Sequence, residues 1–357
     1  MQSREIPIID PTVRDAATRR VDSLTKPLGS LGRLEDLAVR LCAIAGGVPS
    51  HRYENRAILI GAGDHGVAGA GVSAYPREVT AQMVGGFCAG FAAINAFARV
   101  ARAQVFVADF GVDADLPGHP NLIDVKVRRG TGDLSKGPAM SREDALRALD
   151  AGRRAYATVA ERVAPLQLLA LGDMGIGNTT AAAALIAAFT QTPAGLVVGR
   201  GTGIDDERLA KKVSLVEKAL ARVNGATEPL EVAAQLGGFE IVGLAGALLA
   251  AAAERVAVLL DGLIVAAAAL LAQALDARVV DFCIAAHRSR EPGHVVALRK
   301  LGLDPLLDLD LRLGEASGAA LAIPLVESAS RMIAEMKTFD EAGVSNKSPK
   351  DGALTPR

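Results

Sequence analysis

The sequence predicts an α/β fold, a mostly parallel sheet with helices on both faces, accompanied by a smaller helical domain. Three observations carry this expectation. Short apolar runs ending in Gly or Asp recur along the chain, and segments of helical periodicity separate them. Half of the 357 residues are apolar, yet only 3% are aromatic and Trp is absent. Ala makes up about a fifth of the chain and Gly contributes 37 residues. The core must therefore be Leu, Val, Ile and Ala, which suits helices packed closely on a parallel sheet.

In chain order, residues 12–46 read as helical, broken by Lys26-Pro27-Leu28-Gly29-Ser30-Leu31-Gly32, where Pro and paired glycines make a loop. Strand-length runs follow at 57–61, 105–111, 122–127, 166–172, 256–262 and 278–286. Helical periodicity marks 78–99, 141–163, 178–189, 206–223 and 263–275. Such alternation implies right-handed crossovers and a Rossmann-like sheet. No repeat is evident at 20–50 residues. Residues 1–50 and 315–340 fall outside the alternation and are expected to pair as the small helical domain. That leaves 51–314 as a large α/β substrate-binding domain. The polar segment 341–357 reads as a mobile tail.

Composition narrows the function. There are 39 Lys+Arg against 40 Asp+Glu, a formal net charge of -1. That balance argues against a nucleic-acid binder and against a polybasic membrane anchor. Cys42, Cys88 and Cys283 are far apart and form no CxxC pair, so neither a disulfide framework nor a zinc site is indicated. The N-terminus has no apolar signal region. The stretch 241–275 is apolar, but Glu254, Arg255 and Asp261 interrupt it below the length of a membrane span. A reducing cytoplasmic setting follows from these features.

Ligands of open parallel sheets bind beyond the carboxyl ends of the strands. Here those ends carry Asp64-His65, Asp109, Asp173, Asp261 and His287. The sharpest local feature is Gly172–Thr180, where a strand enters a Gly-rich turn that opens onto an Ala-rich helix. Such a segment is either a phosphate cradle or a plain tight turn. Gly199-Arg200-Gly201-Thr202-Gly203 precedes a helix start with Lys211 and Lys212 just inside it, a phosphate site or a solvated helix face. Glu315, set among Gly and small apolar residues, is either a helix N-terminal charge or a general base in a pocket. Gly61-Ala62-Gly63-Asp64-His65-Gly66 fits the dinucleotide spacing GxGxxG, which keeps an oxidoreductase as an alternative, although Asp-His crowds a pyrophosphate turn.

Together these segments resemble the nicotinate-nucleotide–dimethylbenzimidazole phosphoribosyltransferase family of cobalamin lower-ligand synthesis. The carrying residues are KPLGSLGRLE (26–35), GAGDHGVAGAGVSAYPREVT (61–80), GDMGIGNTT (172–180), GRGTGIDDERLAKK (199–212), GGFEIVGLAG (237–246), LLDG (259–262) and RLGEASGAALA (312–322). Seven motifs stand in family order between about residues 10 and 338.

The resemblance implies transfer of phosphoribose from nicotinate mononucleotide to 5,6-dimethylbenzimidazole or a related base. The products are α-ribazole 5′-phosphate and nicotinate. Nicotinate leaves as a neutral ring nitrogen and needs no acid. No pyrophosphate leaves, so neither a metal nor another cofactor is implied. The azole must lose an N–H proton, for which one carboxylate suffices. By resemblance that base is Glu315. Asp173, Gly175, Asn178, Thr179 and Thr180 match the nucleotide loop. Lys212, with Gly201 and Gly203, matches the 5′-phosphate site. Tyr75, Pro76 and Met83 match one wall of the base pocket, with Leu313 opposite. Asp173 stands where the family often has Glu, and Met83 where some members have Gln, which leaves the preferred base open. Asp64, His65, Asp261 and His287 receive no assigned role. The resemblance also implies a homodimer, to which the apolar helices at 241–253 and 263–275 contribute either interface or core. A non-catalytic nucleotide-binding paralogue remains the other reading, against which retention of Glu315, Lys212 and the 172–180 loop argues.

Overall fold

The computed structural model describes residues 5–223 and 228–346. Helices α1 (Pro11–Ser23) and α2 (Arg33–Ala45) come first. Then follow β1 (Arg56–Gly63), α3 (Val79–Ala89), α4 (Ala93–Ala101), β2 (Gln104–Gly111), β3 (Leu122–Asp124), α5 (Arg142–Arg162), β4 (Leu168–Met174) and α6 (Asn178–Thr190). The second half runs α7 (Ala194–Val197), α8 (Asp206–Arg222), α9 (Pro229–Leu236), α10 (Phe239–Ala253), β5 (Ala257–Leu260) and α11 (Leu263–Leu275). It closes with β6 (Cys283–Ala285), α12 (Pro292–Leu301), α13 (Ser317–Glu335) and α14 (Phe339–Ala342).

All six expected strands form, and they lie in the order β3-β2-β1-β4-β5-β6 with every neighbouring pair parallel. From β1 the chain adds β2 and β3 on one side and β4, β5 and β6 on the other, so the order of winding reverses between β1 and β4. The loops leaving these two strands diverge there and open the crevice in which such sheets bind ligands. Register across this switch point sets Gly61 beside Asp173 and Ala62 beside Met174.

Three of the departures from the expected boundaries have a clear local reason. Of 278–286 only Cys283–Ala285 is strand, because Ala277–Phe282 winds as a 3-10 helix whose start is capped by the Asp276 carboxylate. The helix expected over 78–99 is two helices. Gly90 takes a left-handed φ of 84° and ends α3, while the Asn95 side chain accepts the Ala92 amide at 3.1 Å and opens α4. The 23 residues Val79–Ala101 have the length and hydropathy of a membrane span, but as two short helices they do not form one continuous rod. Finally, β4 runs on through Gly172 and Asp173 to Met174, so these residues belong to the strand and not to the turn.

The core is as aliphatic as its composition requires. Every residue of α10 from Phe239 to Leu249 is buried, as is every residue of α11 from Leu263 to Ala272. These two helices are therefore largely core. Helices α5 and α10 touch through their backbones. A side chain at Gly152 would overlap the Gly243 carbonyl, and one at Gly246 would overlap the Leu149 carbonyl. Substituting Ala at Gly152 is expected to destabilise the protein by about 3 kcal/mol through overpacking, read as a lowered thermal midpoint. An unchanged midpoint would contradict this close approach.

The chain divides into two compact units. One takes Glu54–Ile323 together with the N-terminal residues through Ile8; the other takes Ile9–Tyr53 and the residues from Pro324 onward. The division thus falls at Pro324, inside α13, and not at residue 315. Within the second unit the N- and C-terminal segments meet directly. The Thr25 amide donates to the Lys337 carbonyl at 3.0 Å, and Arg20 pairs with Glu341 at 2.8 Å. Here too lies the motif at 26–35, where the Lys26 ammonium pairs with Glu35 at 2.8 Å, both side chains at least 95% buried. Glu341 and Ala342, expected in the tail, belong to α14 under a Thr338 capping box. The rest of that expected tail, from 347, lies outside the described residues.

Candidate active site

The carboxyl ends of β1, β4, β5 and β6, with the starts of α10 and α13, bring four carboxylates and two histidines together in the large unit. Asp173 lies at the end of β4, where the Asn178 side-chain amide donates to its Oδ2 at 2.8 Å. Glu315 approaches it through the backbone, its amide donating to the Asp173 carbonyl at 3.3 Å. Asp261 follows β5 and accepts the Ala319 amide at 3.0 Å, tying down the first turn of α13. His287, following β6, stands 3.4 Å from the same Asp261 oxygen. His65, after β1, makes a 2.6 Å contact with Glu240 on the first turn of α10, and both are fully buried.

The turn that carries Glu315 is unusual. Gly314, Glu315 and Ala316 are all left-handed, with φ of 83°, 60° and 62°. Two consecutive non-glycine residues in this region cost of order 1–3 kcal/mol each and persist only where the surroundings enforce them. The enforcement is visible. Gly172 has no side chain, so Ala316 packs directly onto β4, and any Cβ at Gly172 would overlap the Ala316 amide. The Ser317 amide closes the turn on the Gly314 carbonyl at 2.9 Å.

Electrostatics give the cluster its chemistry. Burial, and next the charge of Asp261, push the Glu315 carboxyl up to about 7. Burial and then Asp261 likewise hold Asp173 well above the ordinary carboxylate range, only partly offset by the Asn178 amide. Burial pulls His287 down, but the hydrogen bond and charge of Asp261 outweigh it and leave the imidazole raised. Glu315 Oε2, Asp173 Oδ1 and Asp261 Oδ2 are buried without a hydrogen-bond partner. Unpartnered buried oxygens lower stability, and they collect where a site needs them for chemistry. A carboxylate near 7 is a base matched to neutral pH.

A second polar group lies between α6, α8 and the 199–203 turn. The fully buried Lys212 ammonium donates to Thr179 Oγ1 at 2.8 Å and to the Gly199 carbonyl at 3.0 Å. Gly201 sits on this turn with φ 54°, and Gly203 with φ 100°. Thr202 Oγ1 accepts the Ala74 amide at 2.9 Å, which ties the turn to the loop bearing Tyr75 and Pro76. The start of α6 is less open to an anion than its sequence suggests. The Asn178 and Thr180 amides already donate to the Gly175 and Gly177 carbonyls. The fully buried positive charge in this region is that of Lys212, and the Arg312 guanidinium donates to the Gly201 carbonyl of the same turn at 3.1 Å.

Of the expected site residues, Asp173, Asn178 and Glu315 form one cluster, and Thr179, Gly201 and Lys212 form another. Gly175 packs against the Gly63 carbonyl, and Thr180 is fully buried. Tyr75, Pro76 and Leu313 are exposed and Met83 is half-buried. Glu240 and Glu291, both buried, join the two clusters without having been singled out from sequence. Each is a lone acid near a helix start, where a capping charge is the ordinary reading. A cavity of about 850 Å³ lies elsewhere: Leu149, Tyr156, Leu249, Glu254 and Arg278 help to line it, and no expected site residue does.

With this geometry in place, the family profile described as a phosphoribosyltransferase (DBI_PRT) matches residues 6–344. The chain belongs to the nicotinate-nucleotide–dimethylbenzimidazole phosphoribosyltransferase family. It is 50% identical over 340 residues to the enzyme of that name from Chloroflexus aggregans, covering 95% of this chain and 96% of the relative. The Thermus thermophilus enzyme is 51% identical over 337 residues, 94% of this chain and 99% of the other. A crystal structure of CobT from Thermus thermophilus superposes with a TM-score of 0.92 at 51% identity, covering 94% of this chain and all of that one. The chain is thus a phosphoribosyltransferase. It carries no dinucleotide turn at Gly61–Gly66. Gly61 and Gly63 lie within β1 against Leu244 and Glu240, which removes the ground for the oxidoreductase alternative.

Proposed function

We propose that the enzyme transfers phosphoribose from nicotinate mononucleotide to 5,6-dimethylbenzimidazole or a related base, releasing nicotinate and forming α-ribazole 5′-phosphate. The observation that carries this reading is the Glu315 carboxylate, buried on an enforced left-handed turn against β4, where burial and the Asp261 charge push its pKa up to about 7. Glu315 takes the N–H proton of the incoming azole as its nitrogen attacks the anomeric carbon. The nicotinate ring leaves with the bonding pair and becomes neutral. Asp173, Gly175, Asn178 and Thr180 form the floor against which the nucleotide lies, while Lys212 with Thr179, Gly201 and Gly203 holds its 5′-phosphate. Tyr75, Pro76, Met83 and Leu313 wall the base pocket.

This reading is tested by mixing the enzyme with nicotinate mononucleotide and separating the products by chromatography. Nicotinate release that requires an added azole supports it. Binding of the nucleotide with no release in the presence of any azole contradicts it and favours a non-catalytic role. Asp261→Asn gives a finer check. The Asp261 charge disfavours ionised Glu315, so removing it lowers the Glu315 pKa. The acid limb of the rate profile, expected near pH 7 in the native enzyme, should move to lower pH. A limb that stays in place contradicts the electrostatic role given to Asp261.

Cytoplasmic placement and a homodimer belong to the same proposal. The free thiols of Cys42, Cys88 and Cys283 support the first. The exposed Phe91 and Val100 support the second, as apolar surface that a partner subunit would cover.

A further inference from the structure

We propose that Glu291 is a positioning residue of the donor-phosphate subsite, its carboxylate holding the Gly201 turn and setting a negative charge against Lys212 so that a dry lysine serves as the phosphate's cation. The inference rests on the phosphate role given to Lys212 above.

Three observations support it. Lys212 is fully buried, and both of its hydrogen bonds go to neutral oxygens, Thr179 Oγ1 and the Gly199 carbonyl. An ammonium in such surroundings tends to lose its proton unless an anion balances it. Glu291, only 6% exposed, accepts the Gly201 amide on Oε1 at 2.8 Å and leaves Oε2 buried without a partner. Gly199 packs so closely on this carboxylate that a Cβ there would overlap it. The remaining charges around the turn do not supply the balance. Arg200 points away to the Ile204 carbonyl and Asp206, and Arg312 donates to the Gly201 carbonyl at 3.1 Å. From α6 the facing group is the uncharged Thr179.

Glu291 is itself well held. It precedes Pro292 at the start of α12, its amide donating to Ser289 Oγ at 3.3 Å, and the Ser289 amide donates to His294 Nδ1 at 2.9 Å. Burial lowers the Lys212 pKa to about 8 and Glu291 opposes that fall, so the cation is lost in the mildly alkaline range. Because Glu291 engages the Gly201 amide, Gly201 serves the phosphate subsite by shaping the turn, and the lysine supplies the buried charge.

The test is calorimetric binding of nicotinate mononucleotide, without azole, between pH 6.5 and 9 for the native enzyme and Glu291→Gln. Gln keeps an oxygen for the Gly201 amide and removes only the charge. Native affinity is expected to weaken above pH 8. In Glu291→Gln that decline begins about one pH unit lower, giving roughly fivefold weaker binding at pH 8 and near-equal binding at pH 6.5. Superimposable profiles, or an equal loss at every pH, overturn the inference and leave Glu291 a structural cap. Should Glu291→Gln fail to fold, Lys212→Arg decides. Its guanidinium stays charged throughout, so the decline above pH 8 must vanish, and a decline that persists overturns the inference. A native enzyme that does not bind the nucleotide at pH 6.5 contradicts the donor-site reading itself, and this inference with it.

Discussion

Glu315→Gln is expected to lower turnover by roughly 10²–10⁴-fold while leaving nicotinate mononucleotide binding nearly intact, since a general base contributes about that much. Gln fills the same space on the same left-handed turn but takes no proton. The same substitution is expected to raise the thermal midpoint at pH 8. The folded pKa of Glu315, about 7, lies above that of an unfolded glutamate. Its contribution is therefore favourable below the unfolded pKa and is lost as pH rises through 7. Gln removes a charge that burial penalises, so the gain at pH 8 should shrink towards pH 5. Turnover close to the native value would remove Glu315 from the mechanism. A midpoint that falls at pH 8 would contradict its burial as the source of the shift.

Lys212→Ala is expected to weaken nicotinate mononucleotide binding by about 100-fold, equivalent to the loss of charge-assisted hydrogen bonds worth about 2–3 kcal/mol. The informative comparison is with nicotinate riboside, which lacks the phosphate. Native enzyme should prefer the nucleotide strongly, and the variant should scarcely distinguish the two. A variant that keeps the preference would place the phosphate away from Lys212. A variant that loses affinity for both ligands equally would mark the lysine as structural.

Much of the architecture was legible because parallel strands buried on both faces read as unbroken apolar runs. Ile58, Leu59 and Ile60 in β1 and Leu168 to Leu171 in β4 are of this kind. Helix α11 spans Leu263–Leu275, matching the expected 263–275, because Gly262 and Asp276 flank an uninterrupted Ala- and Leu-rich stretch. The extension of β4 to Met174 was not legible. Gly172 and Asp173 look like turn residues, and only the parallel pairing with Ile60 and Gly61 keeps them extended. Glu315 and Lys212 stood out as charged residues near Gly-rich segments. Glu240 and Glu291 did not, because their partners His65 and Gly201 are 175 and 90 residues away in sequence. What a lone acid at a helix start meets across the fold is set by tertiary packing, on which local pattern is silent. The strain at Glu315 and Ala316 was hidden for the same reason, since it is enforced by the bare Cα of Gly172 on another element.

The central claim is a single direct displacement driven by one carboxylate base, and the anomeric configuration of the product tests it most directly. The donor carries its nicotinate in the β configuration. Attack by the azole nitrogen from the opposite face, with Glu315 taking the proton, predicts product in the α configuration alone, readable from the anomeric proton in the NMR spectrum of the isolated ribotide. A β product, or a mixture of the two, would contradict the account, because it requires either a covalent ribosyl intermediate or a free cation open to both faces.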